Sequence, residues 1–102
     1  MNMKRSATSH IKHSRKESQI FREVSQLLQQ VMMDNPTLAE LSIRRVLLSA
    51  DNSVCRVFFY TPAGESVFKE KLELLKLYKP SLRAALAQRM DSRYTPDIRF
   101  VF

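Results

Sequence analysis

Apolar side chains return at Ile20, Val24, Leu27, Leu28 and Val31, the three-and-four spacing that lays one face of an α-helix against a core. Phe21 and Met32 widen that stripe. Ser14 and Glu17 stand three residues apart just ahead of it, the arrangement of a capping box, in which each side chain satisfies an early backbone donor. Asp34-Asn35-Pro36 closes the stripe, because the residue before a proline is pushed out of helical geometry. The pattern predicts a helix over about 15–33.

The period then shortens to two. Leu41 to Leu48 is a β-type run whose alternation breaks in the middle, as a bulge would cause. Ala50-Asp51-Asn52-Ser53 has turn chemistry, and Val54 to Tyr60 resumes the strand. In that second strand Cys55, Val57 and Phe59 share one face, and Val54, Arg56, Phe58 and Tyr60 the other. With helices on the first face, Arg56, Phe58 and Tyr60 are left on the open side.

Thr61-Pro62-Ala63-Gly64, which holds the only glycine, breaks the β pattern. Val67, Phe68, Leu72 and Leu75 predict a second helix from about Glu65 to Tyr78. Pro80 interrupts it, so a kink or restart is expected, with a third helix from about Pro80 to Met90 burying Leu82, Ala85 and Leu86. A turn containing Arg93 leads past Pro96 into the last β-run, Ile98 to Phe102. The expected order is α-β-β-α-α-β: an α+β fold with a three-stranded sheet carrying helices on one face. Residues 1–13 are polar and aperiodic and read as a flexible basic arm, leaving 14–102 as a single domain.

Size and charge then narrow the function classes. A chain of 102 residues supports one modest core and no large cavity. No apolar run is long enough to span a membrane, and the positive N-terminus lacks the apolar centre of a secretory signal. The one cysteine, Cys55, has no internal partner, so a reducing cytoplasm is the expected compartment. The net charge of +7 is segregated. Residues 1–16 carry five basic and no acidic side chains, residues 17–68 four basic and six acidic, and residues 69–102 eight basic and four acidic. Clustered positive charge is the footprint of a polyanion binder.

Catalytic signatures are thin, so no enzyme activity, cofactor or metal is expected. A single glycine excludes phosphate-cradling loops. His10 and His13 lie in the arm with no further ligand beside them, and Cys55 reads as a buried structural thiol. Glu70 and Glu73 alternate with Lys69, Lys71 and Lys76, as on a solvated helix face. The junction of helices two and three gathers Lys76, Lys79, Ser81 and Arg83 at a helix start, where backbone donors favour phosphate. Arg89 and Arg93 extend that surface, and Arg15 and Lys16 with the basic arm add to it. Tyr78 and Tyr94 read first as packing at the rim of the core, with stacking on unpaired bases the alternative. Two other functions stay open on these residues: a protein-interaction module on the open sheet face at Phe58 and Tyr60, and a DNA-binding regulator. The latter is poorly served by a third helix whose only amide base reader is Gln88.

With those residues set out, the chain resembles the ribosome-binding factor A family from about Arg15 to Phe102. The resemblance rests on LLQQVMMDNPTL, on VLLSAD leading into VCRVFFY, and on LRAALAQRMDSRYTPDIRFVF, with Leu82, Arg83, Leu86, Met90, Arg93, Pro96 and Phe100 at the family's positions. It implies a type II KH-like domain without the GxxG loop, and a monomer that binds the small (30S) ribosomal subunit and its rRNA late in maturation. It also implies help in processing the 5′ end of 16S rRNA, importance for growth in the cold, no catalytic residues, and a ribosome-associated GTPase as a further candidate partner. Where the family carries an Ala-x-Gly turn between its two helices, this chain has Tyr78-Lys79-Pro80. Proline preserves an interruption there, but not a glycine's close backbone approach to phosphate.

Overall fold

The computed structural model describes residues 2–90 and 95–102, with side chains from residue 13 onward. Helix α1 spans Asn2–Asp34, and a 3-10 turn spans Pro36–Glu40, with proline at its start. Strands β1 (Ser42–Leu48) and β2 (Val54–Tyr60) follow, then helix α2 (Glu65–Arg89) and strand β3 (Asp97–Val101). No helix among the described residues is long and apolar enough to cross a membrane.

The sheet order is β1-β2-β3. The β1–β2 pair is antiparallel and shifts register between Ile43 and Arg45, which is the bulge expected from the broken alternation. The β2–β3 pair is parallel, aligning Cys55 with Ile98 and Arg56 with Arg99. A parallel neighbour needs a long crossover, and α2 is that crossover.

Two expectations about the helices are corrected. The first helix does not begin near residue 15. Ser14 and Glu17 lie inside α1, and Glu17 turns to the sheet instead of capping a helix. Its Oε2 accepts from the Leu48 amide at 2.6 Å, while His13 Nε2 donates to the Leu48 carbonyl at 2.8 Å. Leu48 ends the edge strand β1, so α1 satisfies both of its backbone groups there.

The second correction concerns Pro80, which lies inside one continuous α2 where two helices were expected. Proline's φ is compatible with helix. What it removes is one amide, leaving the Lys76 carbonyl without its usual intrahelical donor. Apolar periodicity runs straight across the site, and Leu75, Leu82 and Leu86 are all buried. Packing of that stripe holds the helix through the missing bond.

Ile20, Val24, Leu27 and Leu28 of α1 meet Leu75, Leu82 and Leu86 of α2 over the inner sheet residues Cys55, Val57, Phe59 and Ile98. Asp34 pairs with Tyr78, and Glu23 and Gln26 with Arg89, so the two helices run antiparallel. Phe59 lies 5.9 Å from Phe68 and 5.7 Å from Phe100, ring centre to ring centre, and Phe102 stacks on Phe68 at 5.5 Å. The hairpin turn is held by Asp51, whose Oδ1 accepts from the hydroxyls of Ser49 and Ser53 and from the Ser53 amide. Those donors hold its carboxyl down at about 2. Asn52 takes the left-handed conformation (φ 63°) that asparagine tolerates best among residues with a side chain.

Candidate nucleic-acid interface

Lys79 and Arg83 are one helical turn apart on α2 and both reach the chain entering β3. Lys79 Nζ lies 3.3 Å from Asp97 Oδ1, and Arg83 donates to the Thr95 carbonyl at 3.4 Å. Asp97 is shared, because Arg99 Nε lies 3.8 Å from its other oxygen. The result is a patch at the edge strand in which two cations flank one carboxylate and a third, Arg83, rests on the neighbouring Thr95 carbonyl.

The remaining candidate residues do not all join it. Lys76 points to Glu73 at 3.3 Å, an exposed pair of the kind that contributes little and rearranges easily. Arg89 is held on α1 by Glu23 and Gln26, each at 3.1 Å, and ties the helices together. Ser81 is exposed and lines the shallow interhelical groove with Tyr78 and Leu82, away from Lys79 and Arg83. Arg15 is exposed and Lys16 half-buried on α1; among the described residues neither has a carboxylate within 4.0 Å. Arg93 and Tyr94 lie outside the described residues. Tyr78 is half-buried and donates to Asp34 at 3.1 Å, the rim-packing role expected for it.

Cys55 is fully buried, as its inward strand position predicts. Burial, aided by the nearby charge of Glu17, pushes its thiol up to about 12. Among the described residues no three of His, Cys, Asp and Glu converge as a metal site would require.

The other side of the sheet carries Arg56, expected there from strand alternation, and three further arginines that were not singled out in sequence. Arg44, Arg45, Arg56 and Arg99 are all exposed. The Arg44 guanidinium lies 4.8 Å from the centre of the Tyr60 ring, and that of Arg45 lies 5.6 Å from the Phe58 ring. Three of these four fall within residues 17–68, whose net charge is negative. Summing charge along the chain therefore hides a concentration that strand alternation and register reveal.

Comparison with known proteins places this geometry in a family. A family model described as Ribosome-binding factor A matches residues 12–102. Ribosome-binding factor A of Shewanella sp. (strain W3-18-1) is 34% identical over 85 residues, covering 82% of this chain and 56% of the relative. The chain thus spans little more than half the length of that curated relative. The crystal structure of ribosome-binding factor A from Thermus thermophilus superposes with a TM-score of 0.74 at 29% identity, covering 87% of this chain and 93% of that one. A Thermus thermophilus homology model, fitted into a cryo-electron microscopy map of a 30S–ribosome-binding factor A complex, gives a TM-score of 0.67 at 30% identity, covering 83% and 88%.

Proposed function

The chain belongs to the ribosome-binding factor A family, and on that basis we propose that it binds the small ribosomal subunit through rRNA, without catalysis, late in subunit maturation. In this reading it assists processing of the 5′ end of 16S rRNA in the cytoplasm, supports growth in the cold, and leaves when maturation is complete. A ribosome-associated GTPase is the candidate partner for release.

The observation that carries the reading is the cation patch on the family's own helix–strand junction. Lys79 and Arg99 share one carboxylate, Asp97, and Arg83 beside them has only the Thr95 carbonyl, so the patch keeps excess positive charge where a phosphate backbone can replace internal contacts. The relative whose shape this fold matches was fitted in a 30S complex, which supports the same choice of partner. The helix at Tyr78-Lys79-Pro80 stays continuous, so side-chain cations are assigned the contact with phosphate, and no glycine-lined backbone approach is invoked. Arg15, Lys16, Lys76, Ser81, Arg89 and Arg93 are assigned supporting contacts around this centre.

Co-sedimentation with immature and mature small subunits across a salt series tests the proposal. The expected result is preferential, salt-sensitive retention on immature subunits. The Lys79→Ala, Arg83→Ala double variant should lower the salt slope by about two units, about one per phosphate contact. Unchanged affinity and slope in that variant would remove Lys79 and Arg83 from the site.

A further inference from the structure

Arg56 and Arg99 are register partners on neighbouring parallel strands, and both side chains are exposed on the face of the sheet away from the helices. Their backbones are therefore about 4.8 Å apart in the sheet direction, and like charges directly opposite one another disfavour the pairing. Arg45 and the bulge residue Arg44 add two more guanidinium groups on β1. Among the described residues, Arg44, Arg45 and Arg56 have no carboxylate within 4.0 Å. Asp97 is the one acid among the strand residues of this face, and it is already shared by Lys79 and Arg99.

Two aromatic rings lie among these cations. Tyr60 is 43% exposed and lies under Arg44, and half-buried Phe58 lies under Arg45. An arginine held against a ring keeps its outward edge free for phosphate, and together they form a flat surface on which a base stacks. Concentrated charge alone suits any polyanion. Charge interleaved with stacking surface favours unpaired nucleotides over an acidic peptide, which has no flat π-face to offer.

We propose that the open sheet face is a second nucleic-acid surface, on which a single strand of RNA crosses β3, β2 and β1. Arg99, Arg56, Arg45 and Arg44 contact its phosphates, and Phe58 and Tyr60 support its bases. The face joins the Lys79–Arg83 patch at the β3 edge through Asp97, so the two surfaces form one basic band around the margin of the sheet. The inference rests on the RNA-binding reading above and adds the class of ligand, unpaired RNA, and a route for it.

The test uses the full chain, a short oligouridylate, and a polyglutamate peptide of matched length, with binding followed across a salt series. The expected result is that Arg56→Gln, which leaves the Lys79–Asp97–Arg99 cluster intact, weakens oligouridylate binding and lowers its salt slope by about 0.7 units, the value for one phosphate on a single strand. Its melting temperature should equal or exceed that of the wild type, because the like-charge pair is gone, so weakened binding then reports lost contacts in a folded protein. A variant with unchanged oligouridylate affinity and slope overturns the proposal, as does one that loses binding to polyglutamate alone. The Lys79→Ala, Arg83→Ala variant separates the two readings. If it loses small-subunit binding while the sheet variant behaves as wild type toward oligouridylate, the sheet surface fails and the helix-side reading stands. If the wild-type protein binds neither RNA, both fail.

Discussion

Lys79 of α2 and Asp97 of β3 meet at 3.3 Å, joining the middle of the crossover helix to the first residue of the strand that it delivers. The contact is partly exposed, with side-chain exposures of 31% and 41%, so it adds at most about 1 kcal/mol to stability. Its larger effect is to occupy Asp97, which holds two cations of the binding surface. The Asp97→Asn variant should therefore keep its stability within about 1 kcal/mol of wild type. It should bind small subunits more tightly at low salt and with a steeper salt slope. Weaker binding would show that Asp97 positions these cations for RNA rather than competing with it.

Glu17 makes a different kind of contact. Its carboxylate takes the Leu48 amide on the edge of the sheet, in a half-buried setting. Glu17→Ala leaves that donor without its partner, at an expected cost of about 1–3 kcal/mol in urea denaturation. Hydrogen exchange at the Leu48 amide should quicken more than at other β1 amides. Equal exchange in variant and wild type would mean that the contact does not persist in solution.

Pro80→Ala should raise stability by up to about 3 kcal/mol, because alanine restores the amide that the Lys76 carbonyl lacks. Thermal denaturation reads this directly, at about 4–8 °C per kcal/mol for a domain of this size. No rise would mean that the helix has already relaxed around the proline.

The Asp51 carboxyl sits at about 2 in the fold against 3.8 when free, because Ser49 and Ser53 donate to it. A depressed folded value means that the charged form is favoured by folding. Its contribution is complete above pH 3.8 and lost as pH falls through about 2. Asp51→Asn should lower the urea midpoint at neutral pH, and the gap from wild type should close between pH 4 and 2. A gap that persists at pH 2 would assign the effect to the turn backbone instead of to charge.

Cys55 behaves in the opposite sense. Its thiol is pushed from 9.0 to about 12, so the unfolded chain ionises first and stability declines as pH rises from 9 towards 12. Iodoacetamide at pH 8 should label it only as fast as the protein unfolds. Rapid labelling of the native chain would contradict its burial.

Much of this fold was legible in the sequence because local pattern and tertiary environment agree. β2 alternates cleanly, with Cys55, Val57 and Phe59 buried and Arg56 and Tyr60 exposed, and the broken alternation of β1 marked its bulge. The misreadings arose where a side chain has two uses. Ser14 and Glu17 have capping-box spacing, yet Glu17 serves a strand distant in sequence. Pro80 is a helix breaker by local rule, overridden by the apolar stripe on either side of it. For the interface, the cations of α2 were visible as a cluster, but their pairing was not. Spacing along one helix cannot show that Arg89 is tied to Glu23 or that Lys79 shares Asp97 with Arg99. The sheet arginines were obscured because Arg99 is brought beside Arg56 by register, and register is not local.

The parallel pairing of β2 with β3 also sets an order of assembly. The β1–β2 hairpin closes over a short turn, whereas β3 pays the loop entropy of the whole crossover before any of its bonds form. Arg56 and Arg99 therefore come together only once β3 has docked, and a chain with β3 undocked has half of that charge pair. A polyanion that needs both arginines will bind the completed sheet in preference to its precursor and pull the docking equilibrium towards closure. On the proposed sheet surface, the like-charge pair would thus make RNA binding depend on a docked β3.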